Sequence, residues 1–107
     1  MALPAKAVYE IVVVQRPFRT HSLAGVVVDP SGAILPGATV DDCDPTFSRV
    51  LATTTTDSTG YFAFSGTKIG SNHYLRFRSR GFNPLEISVK LRHFAPAQLR
   101  VKLPIGG

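Results

Sequence analysis

The residues able to do chemistry are few and widely spaced. Histidine occurs only at His21, His73 and His93, with Tyr9, Tyr61 and Tyr74 as further donors. Metal-binding histidines usually come as close pairs that one element aims at a single ion, and no two here share such a spacing. A hairpin over residues 73–92 would bring His73 towards His93 at its open end. Asp41, Asp42 and Asp44 form the cluster a hard cation would seek. The calcium-loop pattern Asp-x-Asp-x-Asp-Gly is missing, however, and a regular strand sends Asp41 and Asp42 to opposite faces. Serine, histidine and aspartate are all present, but Gly-x-Ser-x-Gly is not. Gly60 to Lys68 has one residue too many for a phosphate loop, and 61–65 has the character of a strand. The single thiol, Cys43, lies among acids that disfavour its thiolate, and is expected to be unreactive. The expectation is no catalytic residue, no metal and no cofactor.

One constellation remains. Arg76, Arg78 and Arg80 alternate with Leu75, Phe77 and Ser79; Lys90 and Arg92 alternate with Val89 and Leu91. Side chains repeat every second residue in a strand, so pairing the two segments puts Arg76, Arg78, Lys90 and Arg92 on one outer face with Tyr74. The net charge of +5 is uneven: residues 1–65 hold 4 Lys+Arg and 6 Asp+Glu, residues 66–107 hold 8 and 1. This face suits an acidic partner, a protein or an acidic glycan, with Asp41 and Glu86 partly balancing it. There is no tryptophan, so Tyr61, Tyr74 and Phe94 are the available sugar platforms. Nothing matches a specific nucleic-acid-binding motif.

The elements that must position these residues are short. Gly and Pro number 9 and 8 in 107 residues, leaving no room for a long amphipathic helix. Runs rich in Val, Ile, Thr and Phe predict strands at 8–15, 22–29, 38–43, 49–56, 61–65, 73–80, 85–92 and 98–103. The fold class is all-β: a two-sheet antiparallel Greek-key sandwich of about seven strands, with the first run as an extra N-terminal edge strand. Its expected core is Val26, Val28, Val40, Val50, Phe62, Phe64, Leu75, Phe77, Ile87, Val89, Leu91, Leu99 and Val101. Asp29 and Asp57 start turns by accepting backbone N–H groups, and Gly32 and Gly60 supply the positive φ those turns need. Pro36 sets φ ahead of Gly37. One cysteine precludes an intrachain disulfide, and no apolar run approaches a membrane span or a signal segment.

The stretch Leu23 to Val40 resembles the opening of the carboxypeptidase regulatory-like domain, Gly-x-Val-x-Asp-x-x-Gly-x-x-x-Pro-Gly-Ala-x-Val. Gly25, Asp29, Gly32, Pro36 and Gly37 stand at its marked positions. Thr56-Asp57-Ser58-Thr59-Gly60-Tyr61-Phe62 and Tyr74 to Gly81-Phe82 resemble the family's later motifs. The resemblance implies a transthyretin-like (prealbumin-like) sandwich over 22–105, also grouped with carbohydrate-binding-like folds, and residues 1–21 as an extension with an edge strand and a linker at 15–20. It also implies an accessory, exported module, bacterial and set beside peptidase or surface domains. The hydrolase of transthyretin-like fold ends Tyr-Arg-Gly-Ser, whereas this chain ends Leu-Pro-Ile-Gly-Gly.

Overall fold

A computed structural model describes residues 17–106. The β-branched and aromatic runs form eight strands there, and no helix occurs among the described residues. The strands are β1 (Phe18–Thr20), β2 (Ala24–Val28), β3 (Thr39–Cys43), β4 (Val50–Thr55), β5 (Tyr61–Ala63), β6 (Asn72–Arg78), β7 (Leu85–Leu91) and β8 (Leu99–Lys102). A five-stranded sheet runs β1-β7-β6-β3-β4, and a three-stranded sheet runs β5-β2-β8. Together they make the expected sandwich. The strand expected at 8–15 lies outside the described residues.

Between the sheets lies one apolar cluster that includes Leu23, Val27, Val40, Phe62, Leu75, Phe77, Val89, Leu91 and Leu103. Phe62 meets Phe77 edge-on across the layers at 5.5 Å. Each such fully buried side chain stabilises the fold by about 1.5–3 kcal/mol.

Four expectations need correction. The sheets are mixed, because β1 pairs with β7 and β2 with β8 in parallel. Residue periodicity sets which face a side chain takes, not which way the neighbouring strand runs. The linker at 15–20 contains β1, whose Thr20 is fully buried and donates its hydroxyl to Ser22 O at 2.8 Å. The core differs at three places: Val26 and Phe64 are only partly buried, and Val50 is 49% exposed. Val27, not Val26 or Val28, joins the inter-sheet cluster. Ala24 to Val28 is a run of small and apolar residues with no alternation to mark its inner face. Val50 opens the edge strand β4, and a register shift between Asp42 and Cys43 sets it opposite Cys43, on the outer face and not over the core. Finally, Gly25 lies within β2 and not in a turn. A Cβ there would stand 2.3 Å from Leu99 O, so a bare backbone is what lets β8 lie against β2.

The turns repeat one device. Asp29 Oδ1 accepts the N–H groups of Ser31 and Ala33, and Asp57 Oδ1 those of Thr59 and Tyr61. Asp44 does the same for Thr46 and Ser48. In each the fourth residue has positive φ: Gly32 at 93°, Gly60 at 79° and, unlike these glycines, Phe47 at 59°. Gly37 and Gly81 also have positive φ. The connections 29–38, 56–60, 79–84 and 103–106 gather at one end of the sandwich. Those at 21–23, 44–49, 64–71 and 92–98 gather at the other.

Candidate interaction face and end groove

The β6–β7 register sets Arg76 opposite Glu86, Tyr74 opposite Ser88 and Asn72 opposite Lys90. On the other side Asp41 lies opposite Arg76, and Thr39 opposite Arg78. Tyr74, Arg76, Arg78 and Lys90 therefore share the outer face of the larger sheet. Arg92 lies one residue beyond the end of β7.

Two of these cations are engaged within the domain. Arg76 Nε donates to Glu86 Oε2 at 2.9 Å, and its Nη2 donates to Phe47 O. Its guanidinium also lies over the Phe47 ring, 5.9 Å from the centroid, an attractive cation–π placement. Arg78 reaches Asp41 Oδ2 at 3.0 Å, while Thr53 donates to Asp41 Oδ1 at 2.9 Å. Asp41 is only 1% exposed, so these bonds satisfy a buried charge. Tyr74 packs edge-on against Phe47 at 6.1 Å and is half-buried. Cys43 is buried on the same face, and burial pushes its thiol above the usual range; the nearby Arg76 opposes this, and Asp41 and Asp42 add to it.

Lys90, Arg92 and Arg19 differ. Among the described residues none of them has an ion-pair partner. Arg19 is set beside Lys90 by the β1–β7 register, and Arg92 N–H bonds to Thr20 O at 3.0 Å. Beside them, at the end that carries loops 64–71 and 92–98, opens a groove of about 410 Å³. Arg19, Ile69, Gly70, Leu91, Arg92, His93 and Phe94 line it, with no acidic residue. Phe94 is 92% exposed, and the edge-to-face contact of His93 at 4.6 Å braces its ring. Sequence reasoning missed Arg19, because Gln15 to Thr20 was expected to be a linker.

The histidines pair otherwise than expected. His93 meets His21, ring to ring at 5.8 Å, and not His73. His73 Nδ1 lies 2.8 Å from Asp42 Oδ2, and its Nε2 lies 2.8 Å from Ser71 Oγ. That is the connectivity of a serine nucleophile, its base and an orienting acid. The surroundings do not match that role. Ser71 Oγ donates to Lys68 O at 2.6 Å, Ser71 N–H bonds to Lys68 O, and Gly70 N–H bonds to Leu91 O. The hydroxyl is tied down, and these two adjacent amides are not free to hold an oxyanion. Asp41 and Asp42 take opposite faces and Asp44 closes a turn, so the acidic cluster disperses. No group of three potential metal ligands forms among the described residues.

This architecture defines a small β-sandwich module of mixed sheets, with a partly self-neutralised polar face and an open groove at one end. The family model of the carboxypeptidase regulatory-like domain matches residues 22–104, and the chain belongs to that family, a group of typically non-catalytic modules. A search of curated proteins finds no match to the chain.

Proposed function

We propose that the domain is a non-catalytic accessory module of a larger bacterial surface, secreted or peptidase-associated protein, and that it contacts an anionic partner through the basic outer face bearing Tyr74, Arg76, Arg78, Lys90 and Arg92. The observation that carries this reading is the division of labour among the cations. Arg76 and Arg78 pair with Glu86 and Asp41, whereas Lys90 and Arg92 have no ion-pair partner among the described residues. Charge of one sign without internal compensation raises the local concentration of anionic partners.

Binding to immobilised dextran sulfate, measured against ionic strength, tests the reading. Affinity should fall as salt rises, because exposed charges are screened within about 8 Å at physiological ionic strength. Lys90→Glu with Arg92→Glu should weaken binding far more than Arg100→Glu with Lys102→Glu on the other sheet. Equal effects of the two pairs, or binding indifferent to salt, would overturn it.

The hydrogen-bonded chain Ser71–His73–Asp42 favours a second reading, a small transthyretin-like hydrolase. Its bonded hydroxyl argues against that activity. A fluorophosphonate probe should leave Ser71 unlabelled, and labelling lost in His73→Ala would establish the hydrolase instead.

A further inference from the structure

We propose that the end groove is a binding site for an acidic sugar, with Arg19 and Arg92 taking the carboxylate of a hexuronate residue and Phe94 stacking on its ring. This rests on the reading of the domain as a contact module for anions, but gives it a defined site and ligand class.

The lining divides into two kinds of surface. Arg19, Arg92 and His93 supply donors, and among the described residues no acid lines the groove beside them. A guanidinium meets a carboxylate through two parallel N–H bonds, a match of charge and shape that an ammonium cannot make. Phe94 and Ile69 supply exposed apolar surface next to those donors. Phe94 is the most exposed large apolar side chain described, so its ring is open to a ligand. The His93 ring packs against that of Phe94 steeply tilted, the ring centroids 4.6 Å apart. The C–H groups on the flat side of a pyranose carry slight positive charge and suit the negative face of such a ring.

The same site is poorly made for a peptide. Strand addition needs free main-chain groups, and here Gly70 N–H is bonded to Leu91 O and Arg92 N–H to Thr20 O. The groove is open to solvent, so it does not enclose an apolar side chain. Tyr61 and Tyr74 do not compete as platforms at this site, since neither lines the groove and Tyr74 is packed against Phe47.

Calorimetric titration of the whole chain decides the matter, with tetragalacturonate as probe, its methyl ester as uncharged control and tetraglutamate as charge-matched peptide. Tetragalacturonate should bind, the ester should not, and tetraglutamate should bind more weakly. Phe94→Ala and Arg92→Gln should each weaken tetragalacturonate binding about tenfold or more. The phenylalanine is solvent-exposed, so Phe94→Ala should unfold at the temperature of the parent, which separates lost binding from lost fold. Equal affinity for tetraglutamate, or full affinity in Phe94→Ala, would overturn the sugar site. If dextran sulfate still binds through Lys90 and Arg92 in that case, the contact-module reading stands alone.

Discussion

At the scale of single residues, the domain is held by backbone fit and by buried charge. Gly25→Ala should destabilise by about 1–3 kcal/mol, because the added methyl meets the Leu99 main chain and not a flexible tip. The midpoint of urea unfolding measures this. Arg78→Ala should cost about 2 kcal/mol or more by leaving the buried Asp41 carboxylate with Thr53 alone, and Arg78→Ala with Asp41→Asn should recover part of the loss. The turn aspartates give the pH dependence. The Thr59 hydroxyl and the Thr59 and Tyr61 N–H groups hold Asp57 below the usual carboxylate range, and the Ser31 hydroxyl and Ala33 N–H group do the same for Asp29. Asp44 is also lowered: desolvation opposes the shift, but bonds from Ser48, Arg49 and Thr46 outweigh it. A carboxyl whose pKa falls on folding adds stability above its unfolded value of about 3.9, and that share is lost as pH falls through the lower folded value. Stability should therefore decline below about pH 4, and Asp57→Asn, which keeps the accepting oxygen but not the charge, should make that decline shallower.

At the scale of elements, β1 is the piece that a reading of residues overlooked. Three residues with one buried side chain offer no periodicity to detect. Their place comes from long-range bonds: His21 N–H to Pro96 O, Arg92 N–H to Thr20 O, and the Thr20 hydroxyl to Pro96 O. Thr20→Val should cost about 1 kcal/mol and raise amide exchange in β1 and loop 92–98 before the rest of the sheet. The other strands were legible because alternation in 75–78, 87–91 and 99–102 survives folding almost unchanged, and because Asp-x-Ser/Thr-Gly marks turns by its own hydrogen bonds. The pattern failed where it is degenerate, as in Ala24 to Val28, and where a shift of register changes the face a side chain takes, as at Val50. The basic face was legible as a set of outward positions. Which of its arginines were already occupied was not, since Arg76–Glu86 and Arg78–Asp41 depend on strand register. The chain Ser71–His73–Asp42 joins residues 31 apart in sequence, and no motif announces it.

At the scale of the whole molecule, charge and topology are arranged together. The excess of positive charge lies after residue 65, and strand pairing spreads it over two surfaces: Lys90 and Arg92 on the larger sheet, Arg100 and Lys102 on the smaller. Cys43 should resist thiol reagents in the folded domain at neutral pH and react fully in denaturant, since its thiol is buried and its thiolate disfavoured. Any reaction in the native state would report opening of the outer face.

The parallel pairings have a consequence for how the domain is carried. Because β1 runs with β7, the chain enters β1 from the side of the 79–84 turn; β8 leaves towards that same turn, where Ile105 bridges Phe82 and Gly106 N–H bonds to Gly81 O. Entry and exit thus share one pole, while Arg19, Arg92 and Phe94 stand at the opposite pole. A polypeptide that hosts such a unit can hold it by a two-point stem, as a flower is held. The groove then lies at the pole away from that stem.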